Sequence, residues 1–311
     1  MELTTHKDFK VDLLNKEECG DFFTKWGTFA CTCYHTPKKL AKRVGKVCFE
    51  SEHNSGSRAF HFIFDVTNVP RSLVDQLVRH EQGVIKNVQS FRYVNKGTAN
   101  VYVPNIIAKD EEMTKLYYDV VANSMEGYNK LVEMLKEKGF TGEKANEQAR
   151  GVIPMNTNTG LTIGLTYEAL VHLANERLCT RAEYPIRMLV KQMVVEVLKV
   201  LPELQDKLVA KCITQMYCDE DKCCGIRPPK AQLEQAIKEK QSPTKVYDNI
   251  MNGIPMKLPE WEGFWASPNG KDILMYCADG EIVDIRETKD TKYTLDHIFK
   301  RFDWIEAKLD K

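Results

Sequence analysis

Apolar residues change their spacing along the stretch 73–93 (LVDQLVRHEQGVIKNVQSFRY). The first part carries one apolar stripe at positions i, i+1, i+4 and i+5, formed by Leu73, Val74, Leu77 and Val78. Pro70 is suited to the first turn of a helix and Gly83 to its end, so the pattern predicts a helix between them. Directly upstream, the aromatic and β-branched run at 60–66 (FHFIFDV) predicts a strand.

Further patterns predict long helices with short strands between them. Two short apolar runs, at 10–15 and 160–166, predict strands. Apolar residues spaced by three and four predict helices in five further places: from 15 or 16 through 26, 37–49, 110–138, 167–179 and 183–201. These elements make 1–226 the predicted main domain.

The last part of the chain has a different character. Residues 227–242 contain the charged helical run AQLEQAIKEKQ and predict a linker. In the following segment, DILMYCADGEIVDIRET alternates around a turn at Asp279-Gly280 and predicts a β-hairpin. Residues 243–311 are therefore predicted to form a small β-rich domain with one or two helices. Three of the four tryptophans fall here and are interpreted as its core, with a ligand platform as the alternative: Trp261, Trp265 and Trp304.

Composition bounds the class of protein. The chain has 311 residues with 44 basic and 44 acidic side chains, so its net charge favours neither nucleic acid nor an anionic membrane as a partner. No apolar run has the length of a membrane span, and the start MELTTHKDFK lacks the apolar centre of a signal peptide. Ten cysteines without such a signal indicate reduced thiols, and we expect a cytoplasmic protein.

A polar cluster surrounds the end of the first predicted helix. Arg79 and His80 are followed closely by Asn87, Ser90 and Arg92. Guanidinium groups and hydroxyls are suited to binding a phosphate. A solvated salt-bridge face at a helix-to-strand corner would have the same composition, and the residues alone leave both interpretations open.

Arg150 and Arg177 form a second set of candidates. Arg177 lies between two apolar helical patterns, at 167–179 and 183–201. A charge buried there without a partner would cost several kcal/mol, by order of magnitude. We therefore expect either an acidic neighbour or an anionic ligand beside Arg177.

These motifs, in this order, resemble the flavin-dependent thymidylate synthases (the ThyX family). The first block of that family appears here as FHFIFDV, QLVRHE and QSFRYV, and the second as Arg150-Gly-Val-Ile-Pro154, GLTIGLT, NERLC and AEYPI. The similarity covers roughly residues 9–205. It implies an α+β fold with a ThyX-like mixed sheet and long helices, to which the small β-rich C-terminal domain is added.

The resemblance also implies a reaction and a set of site residues. The family converts dUMP to dTMP, with methylenetetrahydrofolate as carbon donor, reduced FAD as hydride source, NADPH as reductant of the flavin, and a homotetramer whose subunits share each site. Arg177 matches the arginine that favours the ionised N3 of uracil, and no cysteine nucleophile is then needed. The positions that match dUMP-binding residues are Gln76, Arg79, Ser90, Arg92, Arg150 and Arg177. Those that match flavin-binding positions are Arg79, His80, Glu81, Asn87 and His172.

Several positions depart from the family pattern. Glu81 replaces a third basic residue, and Arg58-Ala59 stand where Glu-His is frequent. The exchanged charges lead to the hypothesis that Arg58 and Glu81 form an ion pair. Thr166 and His172 stand where the family usually has asparagine. These changes leave open two alternatives, hydroxymethylation of a pyrimidine nucleotide and sequestration of a nucleotide without catalysis.

Two further patterns concern the cysteines and the C-terminal tail. The segment Cys212-x5-Cys218-x4-Cys223-Cys224 has no regular Cys-x-x-Cys spacing, so a thiol-rich loop is favoured over zinc and no metal site is predicted. In the tail, PEWEGFW and DGEIVDIRET resemble a small phage domain similar to the Thoeris anti-defence sponges, which sequester cyclic nucleotide signals. We therefore expect a cytoplasmic protein of a bacterial or phage-infected cell.

Overall fold

A computed structural model describes residues 1–215, 217–224, 226–227 and 229–231, together with the backbone of three strands between 263 and 287. The chain divides into two compact units, one formed by Met1–Leu178 with Ala182–Leu201, the other by Cys179–Arg181 with Pro202–Lys311.

The first unit combines short strands with helices. Its strands are β1 (Leu3–Thr4), β2 (Lys10–Leu13), β3 (His61–Pro70), β4 (Val84–Val88), β5 (Val101–Tyr102) and β6 (Asn158–Thr166). Its helices are α1 (Phe22–Cys33), α2 (Ala41–Glu50), α3 (Arg71–Leu77), α4 (Asn105–Ala108), α5 (Glu111–Glu137), α6 (Glu143–Ala149), α7 (Tyr167–Arg177) and α8 (Tyr184–Leu198). None of the helices that the structure describes is long and apolar enough to cross a membrane.

The central sheet has four antiparallel strands in the order β2-β3-β6-β4. Alternate residues of β3 point into the core, where Phe62, Phe64 and Val66 are fully buried. Ile163 and Leu165 of β6 are fully buried as well. A register shift separates Val66 from Val69 on β3, and Asn68 there has a φ of 63°, a conformation that asparagine tolerates better than most residues.

Aromatic rings join α1 to this sheet. The Phe22 ring lies 5.6 Å from both Phe60 and Phe62, and 5.8 Å from Tyr167 at the start of α7. Trp26 lies 5.4 Å from Tyr167 and donates its indole N–H to the carbonyl of His53 at 3.2 Å. Such edge and tilted ring pairs add to the stability that burial alone gives.

Helices α1 and α2 cross at two glycines. A Cβ on Gly27 would lie 1.8 Å from the carbonyl oxygen of Ala41, and a Cβ on Gly45 would lie 1.9 Å from that of Phe23. The two backbones therefore approach more closely than any side chain would allow.

The helix predicted to end at Gly83 is shorter, and that prediction was wrong. Helix α3 ends at Leu77, and the polar residues after it form a turn. Gly83, with a φ of 68°, directly precedes β4, and a Cβ there would meet Thr166 Oγ1 at 2.3 Å. Gly83 is thus needed where β4 joins β6 and not where the helix stops.

The second unit is described in part. It contains helix α9 (Lys211–Gln215) and a bridge between Cys218 and Pro229. Three strands, β7 (Gly263–Ala266), β8 (Ile273–Ala278) and β9 (Glu281–Glu287), pair antiparallel in that order. The pairing of β8 with β9 agrees with the predicted hairpin. The domain boundaries and the likeness to a phage domain stay predictions, since Trp261, Trp304 and most of 227–242 lie outside the described residues.

Candidate functional site

Two groups of site residues can be built from the first unit. The arginine–histidine group comprises His80, His172 and Arg177. The Arg92 group comprises Ser90, Arg92, Glu143 and Glu147. No hydrogen bond or ion pair between the two groups is found among the described residues.

The arginine–histidine group brings together residues 97 positions apart. His80 lies in the turn after α3, and Arg177 is the last residue of α7. Arg177 Nε donates to His80 Nε2 at 3.1 Å. Because Arg177 can only donate, His80 must accept with an unprotonated Nε2 and carry its proton on Nδ1. The ring of His172, five residues before Arg177 on α7, lies 5.7 Å from that of His80.

The surroundings of His80 favour its neutral form. Burial lowers the pKa of the imidazole, and the charges of Arg177, His172 and Lys86 lower it further. Glu176 alone among the contributing groups acts in the other direction. His80 is therefore held as a neutral acceptor at neutral pH.

Lys86 fixes the backbone of this turn. From β4 its ammonium donates to the carbonyl of His80 at 3.1 Å and also to that of Val78. The turn that presents His80 is thereby attached to the sheet, and the position of the imidazole does not depend on α3 alone.

Gln76 lies on α3 and is already engaged. Its carboxamide donates to Glu183, the residue before α8. A nucleotide that binds Gln76 would have to share this carboxamide with Glu183 or displace the Glu183 carboxylate from it.

The Arg92 group lies between the loop after β4 and helix α6. Ser90 Oγ accepts from the backbone N–H of Arg92 at 3.2 Å. Arg92 pairs with both carboxylates on α6, through Nε with Glu147 at 2.9 Å and through its Nη2 with Glu143. Arg92 therefore has acidic partners, as the salt-bridge interpretation of this cluster expects.

Lys96 holds the same loop against β6. Its side chain is buried, donates to the carbonyl of Asn158 at 3.0 Å and to Gln89 Oε1, and lies over the ring of Phe91. Burial lowers the pKa of this ammonium. Lys96 was not predicted from the sequence, because a single lysine in a polar loop is normally exposed.

The other predicted site residues lie at the surface. Arg79, Glu81, Asn87 and Arg150 are all exposed, as is His172 of the arginine–histidine group. No hydrogen bond or ion pair places Arg79, Glu81, Asn87 or Arg150 in either group within the described part of the chain. Their roles remain predictions.

Arg58 pairs with a different acid from the one expected. Its Nε donates to Glu168 at 2.6 Å, so the hypothesis of an Arg58–Glu81 pair was wrong. Glu168 lies in the first turn of α7, close to Arg58 at the end of the loop before β3, whereas Glu81 lies in the turn beyond α3. Thr166 caps α7 by accepting from the N–H of Ala169 at 3.2 Å, a role that the asparagine usual in the family can also fill.

The cysteine-rich segment belongs to the second unit. Burial above all, together with the neighbouring thiols of Cys224, Cys179 and Cys218 and against the opposing charge of Arg227, raises the pKa of Cys212 to about 12. Within the described residues no group of three or more His, Cys, Asp or Glu is arranged to hold a metal ion. Cys212 is thus a protonated thiol, not a nucleophile.

Comparison with known proteins assigns the chain. A profile of the family described as Thymidylate synthase complementing protein matches residues 24–203, which include every residue of both groups. The chain belongs to this family. The family predicted from the motifs is therefore confirmed.

Relatives agree with this assignment. The flavin-dependent thymidylate synthase of Nitratidesulfovibrio vulgaris is 33% identical over 181 residues, covering 58% of this chain and 74% of that protein. That of Clostridium tetani is 30% identical over 181 residues, covering 56% and 72%. A probable flavin-dependent thymidylate synthase of Mycobacterium phage D29 is 28% identical over 137 residues, covering 42% and 58%.

A solved structure shares the fold. The UMP/dUMP methylase PolB from Streptomyces cacaoi, bound with 5-Br dUMP, matches with a TM-score of 0.50 and 19% identity, covering 64% of this chain and 93% of that one. This likeness confirms a fold of helices and sheets for the main part of the chain. The mixed sheet predicted from the family resemblance was wrong, because every strand pair of the four-stranded sheet is antiparallel.

Proposed function

We propose that this protein is a flavin-dependent thymidylate synthase, which methylates dUMP reductively to dTMP. The observation that carries the proposal is the family match over residues 24–203, which spans both groups of site residues. Two relatives at least 30% identical to this chain are flavin-dependent thymidylate synthases, and the structural neighbour was solved with a uridine nucleotide analogue bound. Methylenetetrahydrofolate and NADPH are the proposed co-substrates.

Arg177 is the proposed catalytic residue. The charge of its guanidinium is not offset by its described partner, which is a neutral imidazole. A cation fixed beside the N3–H of uracil lowers the pKa of that imide, and the resulting anion makes C5 more nucleophilic. The described cysteines are then not needed as nucleophiles.

The Arg92 group and Arg150 are proposed to bind the phosphate. Arg92 faces two carboxylates, so that group is negative overall before a ligand arrives. Arg150 is exposed and has no ion pair among the described residues, so its guanidinium is available to an anion. Phosphate binding would then require Arg92 to exchange a carboxylate for the ligand, with Arg150 adding charge.

The surface around His80 is suited to FAD. The pyrophosphate of FAD is anionic and its ring has amide edges, which match the exposed guanidinium of Arg79 and the carboxamide of Asn87. The edge-to-face rings of His80 and His172 offer an aromatic surface for the flavin ring. Bound FAD supplies the hydride in this chemistry. Glu81 adds a carboxylate at the same turn, and its charge opposes the pyrophosphate.

A homotetramer is proposed from the surface of α5. This helix buries one face, which includes Val121, Met125 and Tyr128. About a third of a turn away, a second face is apolar and exposed, formed by Met113, Leu116, Val120, Leu131 and Met134. An apolar face of this length on a single helix is typical of a contact between subunits.

Purified protein tests the proposed reaction. We expect a yellow protein whose flavin absorbance near 450 nm is bleached by NADPH and returns on addition of methylenetetrahydrofolate and dUMP, with dTMP as product by mass spectrometry. A 5-hydroxymethyl product would show that the protein catalyses hydroxymethylation and not methylation. A protein that binds dUMP but takes up no FAD would overturn the enzyme proposal in favour of sequestration.

A further inference from the structure

The partner of Arg177 is unusual in its charge. Guanidinium groups that must be held in place are commonly fixed by a carboxylate. Among the described residues no carboxylate forms an ion pair with Arg177, and its Nε–H is taken by His80 Nε2 at 3.1 Å. A neutral acceptor fixes the direction of the guanidinium without cancelling its charge. The four N–H groups on the two Nη atoms are left for a ligand.

His80 is itself firmly placed. Lys86 holds the carbonyl of His80 at 3.1 Å, and the His172 ring packs against the imidazole with centroids 5.7 Å apart. The hydrogen bond to Arg177 therefore joins a turn fixed to β4 with the end of α7. Both ends of the contact are set by the sheet and its helices.

We propose that His80 is a positioning residue, whose neutral Nε2 aims Arg177 at the N3–carbonyl edge of the bound pyrimidine, and that protonation of His80 releases Arg177. The inference rests on the proposed function, since it takes the ligand to be a uridine nucleotide. It assigns His80 a task toward Arg177 that is separate from any contact with the flavin.

The direction of the pH dependence follows from the groups that face His80. Arg177, His172 and Glu176 face it from α7, and Lys86 faces it from β4. Burial and the three basic neighbours lower its pKa, against the opposing effect of Glu176. The acceptor is then present above the lowered pKa and is lost as the pH falls through it. Since one proton is involved, the contribution of Arg177 to nucleotide affinity should fall by up to about tenfold per pH unit below that pKa.

Two substitutions separate positioning from a merely structural role. His80→Gln keeps a neutral acceptor near the position of Nε2 but cannot be protonated, and His80→Leu removes the acceptor. We would measure the dissociation constant of dUMP by calorimetry from pH 5 to 8 on the full chain without added flavin. The phosphate of dUMP titrates near pH 6 and affects every variant alike, so the ratio between variants isolates His80. Thermal unfolding confirms that each variant is folded.

Below the pKa of His80, we expect the dUMP affinity of the wild type to fall relative to that of His80→Gln. At pH 8, we expect His80→Leu to bind dUMP about tenfold more weakly than the wild type. In a ¹³C-histidine NMR titration, the resonance absent from His80→Gln should have a low pKa that rises in Arg177→Met. Equal pH profiles for wild type and His80→Gln, or an unchanged His80 pKa in Arg177→Met, would overturn the inference.

Failure of the proposed function is distinguishable from failure of this inference. If no dTMP forms but His80 and Arg177 are coupled in the NMR and binding titrations, the positioning role stands and the reaction does not. If dTMP forms while His80→Leu binds dUMP as tightly as the wild type, the reaction stands and the positioning role does not.

Discussion

The ammonium of Lys96 lies 4.8 Å from the centroid of the Phe91 ring, and the rest of its hydrogen-bonding capacity is used by Gln89 and the carbonyl of Asn158. All three partners are uncharged. Since Gln89 and Phe91 flank Ser90, this buried cation holds the loop that also contains Arg92. Burying the charge costs free energy, and the contacts that compensate for this cost fix a loop at the candidate site.

The lowered pKa of Lys96 makes stability depend on pH. The folded protein holds this proton less tightly than the unfolded chain, so the contribution of Lys96 to stability rises as the pH rises from its folded pKa toward about 10.4. Lys96→Met removes that dependence. We expect the unfolding free energy of the wild type, measured in urea, to rise relative to that of Lys96→Met between pH 8 and 10.

A control and a second readout accompany this test. Lys130→Met removes an exposed lysine and should show no such trend in this direction. Lys96→Met should also weaken dUMP binding, because Gln89 and Phe91 lose the group that orders them. A pH-independent difference in stability would contradict the role of burial at Lys96.

The two carboxylates around Arg92 should have opposite effects on nucleotide binding. Glu147 holds Nε and orients the side chain, whereas Glu143 occupies an Nη2 that a phosphate would need. We expect Glu143→Gln to tighten dUMP binding by about two- to fivefold, as for a half-exposed ion pair, and Glu147→Gln to weaken it by a similar factor. Calorimetry on the pair of variants measures both. Identical shifts in the two variants would rule out separate roles.

Much of the fold follows from the sequence, because burial imposes a period on it. The strand around Phe62 and Phe64 and the long helix α5 were predicted within a few residues. Helix α6 was missed. Its apolar signal is two alanines, Ala145 and Ala149, and the preceding Gly142 indicates a turn. Because α6 supplies both carboxylates to Arg92, missing it also hid half of that group.

The partner of Arg177 shows a second limit. The sequence predicted a charged partner, whereas the structure provides a neutral imidazole 97 residues away. The spacing of residues along the chain does not reveal which turn the folded sheet places beside the end of a helix. Lys96 was missed for a similar reason, since its burial depends on the packing of β6 beneath the loop.

The glycines at the α1–α2 crossing give a sharp test of packing. Gly27→Ala would place a Cβ 1.8 Å from the carbonyl oxygen of Ala41, which only a shift of both backbones can relieve. We expect a loss of about 3 kcal/mol or more in unfolding free energy, at or above the usual range for overpacking. The matched control is Gly20→Ala in the 3-10 turn Glu17–Asp21, where an added Cβ would have no atom within 4 Å, and the smaller backbone freedom of alanine in the unfolded chain should stabilise the protein by about 0.4–1 kcal/mol. Chemical denaturation measures both, and equal effects would contradict the close crossing.

The exposed apolar face of α5 tests the proposed tetramer. Val120 lies in the middle of this face and is 59% exposed in the single chain, so a charge there costs nothing unless another subunit covers it. We expect Val120→Glu to lower the assembly mass, measured by light scattering on a sizing column, since burying an unpaired carboxylate in an apolar contact costs several kcal/mol. Glu133→Lys changes the charge of an exposed residue on the polar face of the same helix and should leave the mass unchanged. If the site is shared between subunits, dissociation by Val120→Glu should also reduce dTMP formation, and activity should return as protein concentration is raised. A Val120→Glu protein with the wild-type mass at micromolar concentration would show that α5 faces solvent in the assembly.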